Sequence, residues 1–294
     1  MNYYPPFELI ETRPRKIPWV NIILFVATIF TTMAAGALHA GADILSSPLL
    51  IYKGIPFSAS LMLILGVHET GHYLASRRWG VRASLPYFIP VPHPLLGTMG
   101  AFIKVRSPIP NRKALVDIGA SGPLSGFVLA VLVTAIGLAS SKLVPAPVEG
   151  RPEGGLLLGS SLIFSWLVRL VLGHIPEGYD IILSPMAFAG WIGLFVTALN
   201  LIPVGQLDGG HVTYALFGEK HRLIARVTVL VLLPMGMLWM GWLLWAFLLV
   251  LFLGMRHPPP YDPYTPLDWG RKLIGYLSLL IFVLCFTPTP FKVT

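Results

Sequence analysis

With 294 residues, 55% hydrophobic and only 12% charged, the chain is far more apolar than a soluble globular domain and is read as solvated mainly by lipid. Its formal charge of +8 comes from 21 Lys and Arg residues dispersed between apolar runs, with no basic helix or aromatic-basic module, so no nucleic-acid partner is expected. The single cysteine, Cys285, excludes an internal disulfide and a thiolate zinc cluster, which leaves His and carboxylates as metal ligands.

The start of the chain, MNYYPPFELIETRPRKIPW, has neither a short apolar core behind a basic start nor a small-residue cleavage site, so the first span is expected to be its own insertion signal. Apolar runs near 18–40, 57–78, 114–140, 184–203, 224–253 and 272–288 approach the roughly 20 residues that cross about 30 Å of hydrocarbon as a helix. The expected fold is therefore an all-α polytopic membrane protein, one domain over 1–294, with about six transmembrane helices. Between the second and third lies a small β-hairpin, from Tyr87 to Val91 and Thr98 to Val105, around His93-Pro94-Leu95-Leu96-Gly97.

Basic residues set an orientation. Arg13, Arg15 and Lys16 precede the first span, Arg77, Arg78, Arg82, Lys104, Arg106, Arg112 and Lys113 flank or fill the loop after the second, and Lys220, Arg222 and Arg226 follow the fourth. The alternate loops hold only Lys53, Lys142, Arg151 and Arg169, so the N-terminus and the 79–113 loop are expected in the cytoplasm of a multi-pass cell-membrane protein. Leu156 to Gly173 is nearly long enough to span. Ser161, Ser165 and Arg169 nevertheless recur every four residues as one polar stripe, so we read it as non-spanning. The 224–253 run is interrupted by Pro234, Gly236 and Gly241, which leaves a kinked helix and a helical hairpin both open. Pro258, Pro259, Pro260, Pro263 and Pro266 then impose an extended connector.

Within the second span the chain reads His68-Glu69-Thr70-Gly71-His72. Two histidines one turn apart project from one helix face at a spacing suited to zinc, while Glu69 is rotated off it, as suits a general base acting on water. The bland reading is a polar hydrogen-bond network, but ionisable groups inside an apolar span are costly unless paired, metal-bound or wetted. A catalytic zinc needs a third protein ligand. Asp117, His93, His174, Asp180, His211 and Asp262 lie in loops or near helix ends, where capping and surface roles are the default. Asp208 stands apart in Asn200-Leu201-Ile202-Pro203-Val204-Gly205-Gln206-Leu207-Asp208-Gly209-Gly210, where Pro203 ends the helix and the glycines permit turns that return the carboxylate into the protein. If the N-terminus is inside, the second and fourth spans both run inward, and His72 and Asp208 meet near one end.

These stretches, together with GTMGAFIKVRSPIPNRKALVDIGASGPLSGF between them, resemble the site-2 protease family of intramembrane metalloproteases, peptidase family M50, in a compact form without PDZ or CBS domain. The resemblance covers a catalytic core of about 57–214, flanked by the helices at 18–40, 224–253 and 272–288. It implies one Zn2+ per chain on His68, His72 and Asp208, Glu69 as base, and Asn200 as a polar group holding substrate or the developing oxyanion. It implies a transmembrane protein substrate cut in or near its helix within the lipid bilayer, with anti-sigma-factor-like proteins as typical bacterial targets. It also implies that the hairpin dips into the membrane and offers an edge strand to the unwound substrate. Gly119, Gly122 and Gly126 on the third helix and Gly190 and Gly193 on the fourth read as packing residues. Two rivals are a metal transporter, which needs a chain of intramembrane polar sites rather than one, and a catalytically silent binding scaffold.

Overall fold

The structure is a computed structural model that describes residues 17–145 and 156–293. Arg13, Arg15, Lys16 and Arg151 of the orientation argument lie outside the described residues. Helix α1 (Trp19–His39) is followed by a short 3-10 stretch and α2 (Ile55–Arg78). Strands β1 (Tyr87–Pro90) and β2 (Thr98–Phe102) precede α3 (Arg112–Ala139). These three helices are long and apolar enough to cross a membrane.

On the far end of α3 come β3 (Lys142–Pro145), β4 (Leu156–Leu158), α4 (Leu162–Leu172) and β5 (Tyr179–Ile182). The chain then returns through α5 (Pro185–Asn200), α6 (Asp208–Phe217), α7 (His221–Met235), α8 (Gly241–Leu248), α9 (Trp269–Cys285) and β6 (Phe291–Val293). The expected helical character and hairpin are present, and the 156–173 segment holds a short strand and a short helix. Helix α4, at 11 residues, extends only about 17 Å. Its polar stripe is partly a cap: Ser161 is buried at the N-cap and its Oγ accepts from the Phe164 amide.

Of the six expected spans, the first three appear as helices long and apolar enough to cross, and the later runs are shorter. The 184–203 and 272–288 runs form helices of 16 and 17 residues, about 24–26 Å, and 224–253 is two antiparallel limbs rather than one helix. Arg222 and Arg226 at the start of α7 line the same cavity as Gly254, Met255 and Arg256 just after the second limb, which settles the open choice in favour of a hairpin. The cause is local: Pro234 and Gly236 end α7, and a Cβ at Gly236 would collide with Leu243 of the facing limb. Ala225, Val229 and Leu232 then pack on Trp242, Ala246 and Leu249. Because the hairpin returns to its starting end, α9 runs parallel to α3. Arg271 in the first turn of α9 grips Asp117 in the second turn of α3, Nε to Oδ1 at 3.0 Å and Nη2 to Oδ2 at 2.8 Å, and the Trp79 indole donates to the same carboxylate at 2.9 Å.

Helices α2, α3 and α5 form the centre, with Phe57, Leu61, Ala130, Leu138, Trp191 and Leu194 buried among them. Small residues permit this: a Cβ on Gly190 would meet Thr134, and one on Gly193 would meet Ile64 and Ala130. Two further two-stranded sheets, β3 with β5 and β4 with β6, close the end opposite Asp117. Strands of three or four residues paired over long separations leave no sequence signal.

The β1–β2 hairpin runs along the length of α1. Asn21 Nδ2 donates to the Leu85 and Pro86 carbonyls, Phe25 packs edge-on against Phe88, a Cβ on Gly97 would strike the backbone at Thr31, and His39 Nε2 donates to the Leu95 carbonyl at 2.8 Å. Asn21 and His39 are 18 residues apart, about 27 Å of helix, so the hairpin reaches from one end of α1 to the other.

Candidate metal centre

The sequence places two imidazoles one turn apart on α2, and the packing of α2 against α3 decides where they point. His68, Glu69 and His72 are all buried, six to ten residues before the basic end of the helix at Arg78. On the facing α3, Gly122 lies against the His72 ring and Gly126 against His68; a Cβ at Gly122 would overlap His72 Nε2, and one at Gly126 would come within 3.1 Å of His68 Nδ1. The glycines read from the sequence as packing residues thus make the hollow that holds the metal donors.

Asp208 is delivered by a reversal of the chain. Helix α5 ends at Asn200, Leu201 to Leu207 form a tight irregular turn with Gly205 at φ +56°, and α6 starts at Asp208. A Cβ on Gly209 would run into the Leu201 carbonyl and one on Gly210 into that of Gly205, so both glycines are needed for α6 to pack against its own turn.

The result is one cluster. Asp208 Oδ2 lies 3.3 Å from His68 Nε2 and 3.2 Å from His72 Nε2, and the two Nε2 atoms are 3.1 Å apart. Four-coordinate zinc with bonds of about 2.0–2.1 Å separates its ligand atoms by about 3.3 Å, so the three donors fit one face of a tetrahedron. His72 Nδ1–H donates to the Ile118 carbonyl at 2.7 Å, so Nε2 of the neutral ring turns a lone pair inward. A carboxylate and imidazole lone pairs aimed at one buried point repel unless a cation joins them, which makes the donor set fit a divalent metal.

Around the cluster, Asn200 Nδ2 approaches His68 Nε2 at 3.4 Å. Glu69, next to His68 on α2, is not among the grouped donor atoms, and strand β2 packs against the same helix. The hairpin therefore lies against the helix that carries the centre. All five sequence-predicted site residues, His68, Glu69, His72, Asn200 and Asp208, come together. Asp117 serves the α3–α9 clamp instead. His211, given a default role by sequence, pairs with His257, which the sequence did not single out: His257 Nδ1–H donates to the Pro258 carbonyl and its Nε2 accepts from His211 Nδ1–H, one turn beyond Asp208. Their pairing joins the proline-rich connector to α6, and no local pattern announces it.

Fold and site together define a class, that of membrane-embedded helical metalloproteins with a His-His-Asp centre and a carboxyl beside it. The model of peptidase family M50 matches residues 56–242, and the chain belongs to that family, the site-2 protease family. Among curated proteins it is similar to the probable zinc metalloprotease EGY1, chloroplastic, of Arabidopsis thaliana, 32% identical over 80% of this chain and 43% of that one. It is also similar to the probable zinc metalloprotease EGY2, chloroplastic, of the same plant, 30% identical over 83% of this chain and 44% of the relative. The EGY2 counterpart of Oryza sativa subsp. indica is 29% identical over 97% of this chain and 53% of its own length. The chain thus spans about half the length of the curated relatives it matches. No solved structure matches it.

Proposed function

We propose that the chain is an intramembrane zinc metalloendopeptidase that hydrolyses peptide bonds in or near the transmembrane helices of membrane-tethered proteins. The observation that carries this reading is the meeting, inside an apolar bundle, of three metal donors on and beside α2, with Glu69 next to His68 and an edge strand packed on the same helix.

His68, His72 and Asp208 would hold one Zn2+, with Ile118 fixing the His72 ring. Bound zinc supplies Lewis acidity, polarising a peptide carbonyl and making water acidic enough to act as a nucleophile near neutral pH. Glu69 takes the proton from the attacking water and delivers it to the leaving amide nitrogen, which departs as the amine. Asn200, with its amide beside His68, donates to the oxygen that gains charge. A helical substrate hides its carbonyls in its own hydrogen bonds, so the scissile segment must unwind first. Strand β2, paired on one side with β1 and with no strand on its other edge among the described residues, is placed to receive it.

The basic residues Arg77, Arg78, Lys104, Arg106, Arg112 and Lys113 gather at the end of the bundle nearest the metal donors, which supports a cytoplasmic active-site end in a multi-pass cell membrane. Release of a membrane-tethered regulator, of the anti-sigma-factor type in a bacterium, is the corresponding role. The test is metal analysis of the purified protein with cleavage of a single-span peptide in liposomes. One zinc per chain and chelator-sensitive cleavage are expected. Metal uptake into sealed vesicles without hydrolysis would replace the protease by a transporter.

A further inference from the structure

Three arginines converge at the base of the α7–α8 hairpin, away from the metal donors. Arg222 and Arg226 stand one turn apart on α7, Arg256 follows the returning limb, and with Gly254 and Met255 they line a cavity of about 430 Å³. Arg222 and Arg256 also line an adjoining cavity of about 290 Å³ with Tyr214, Glu219, His221 and His257. Arg271 and Arg112 are engaged by a carboxylate and by carbonyls, but none of these three guanidinium groups has a carboxylate or hydrogen-bond partner among the described residues.

Orientation in the membrane needs basic residues at this end of the bundle; it does not need three exposed arginines around one open groove, where like charges repel. One further feature adds donor character. On the adjoining wall His221 is 1% exposed and its Nε2 has no partner. Against them stands one carboxylate, Glu219, whose Oε1 accepts from the Tyr214 hydroxyl. Beside the arginines the hairpin exposes Leu223, Val227 and Leu230 on one limb and Leu251 and Phe252 on the other. A ligand with a phosphate and long apolar chains would satisfy both surfaces, whereas a soluble phosphate would use only the cationic one.

We propose that Arg222, Arg226 and Arg256 bind the phosphate of an anionic phospholipid, whose acyl chains lie along the exposed apolar faces of the hairpin. The full chain, reconstituted in nanodiscs of mixed phosphatidylglycerol and phosphatidylcholine and released for native mass spectrometry, should retain phosphatidylglycerol selectively. Each of Arg222→Gln, Arg226→Gln and Arg256→Gln should weaken retention about fivefold. Zinc content should not change, and a triple lysine variant should keep most of the retention. Equal retention of both lipids, or undiminished retention in the glutamine variants, overturns the site. If inorganic phosphate binds in an arginine-dependent way while phosphatidylglycerol is not retained, the ligand is a soluble anion and the lipid assignment is overturned. The single substitutions carry the test if the triple variants fail to fold.

Discussion

Gly122 of α3 sits directly against the Nε2 edge of His72, close enough that a single added methyl group would overlap the ring. Gly122→Ala is therefore expected to push His72 off the metal position or α3 off α2, lowering zinc occupancy and activity together by tenfold or more, about 1.4 kcal/mol or above. Gly66, two residues before His68 on α2, has open space where its Cβ would be. Gly66→Ala should leave zinc content and cleavage intact and raise thermal stability slightly, by up to about 1 kcal/mol. Equal behaviour of the two variants would remove the steric argument.

The donors and the base are expected to separate experimentally. His68→Ala, His72→Ala and Asp208→Ala each delete one of three atoms that share a single position, so zinc content and cleavage should fall together. Glu69→Gln keeps size and polarity but cannot take up the proton, so zinc should stay near one per chain while cleavage drops by about 100-fold or more. Wild-type cleavage by Glu69→Gln would rule out the hydrolytic mechanism.

Ile103 follows β2 where the strand leaves the hairpin, a hairpin that packs on the helix carrying Glu69. Proline there removes a backbone donor, and proline at Ala101, opposite Phe88, disturbs the strand itself. Substrate cleavage should fall several-fold in Ile103→Pro and Ala101→Pro with zinc retained. Unchanged cleavage in both would leave the hairpin without a part in substrate binding.

Because the α7–α8 hairpin returns to its starting end, α9 points the same way as α3, and its C-terminal end lies beside the β4–β6 pair. Reporter fusions after residues 178 and 290 should therefore report one side of the membrane and a fusion at residue 220 the other. A reporter at 290 that agrees with 220 would restore a single span over 224–253.

Asp117 accepts from both Arg271 and the Trp79 indole, so Asp117→Ala leaves the indole N–H without its acceptor and Arg271 with Asp268 as its one carboxylate. Thermal unfolding in detergent should show a loss of about 1–3 kcal/mol, with zinc binding retained in the folded fraction. A loss of metal from folded protein would mean that the clamp also sets the α2–α3 spacing at the site.

The sequence by itself determined the apolar surroundings and the side chains that gather at the candidate metal centre. An apolar run that contains His68, Glu69 and His72 has few stable states other than a metal site, because lipid makes unpaired ionisable groups costly. The turn before Asp208 was legible for a related reason: Pro203, Gly205, Gly209 and Gly210 record constraints that act within a few residues. What only the tertiary structure decided depends on contacts between distant segments. The 224–253 run could fold as one bent helix or two limbs, and the packing of Trp242 and Ala246 on Ala225 and Val229 chose the latter. The roles of Gly122, which houses an imidazole rather than a neighbouring helix, and of His257, which reaches back to His211, arise where segments 46 or more residues apart come into contact. Periodicity and local propensity report which face of a segment is buried, whereas the identity of the group buried against it is fixed only when the helices pack.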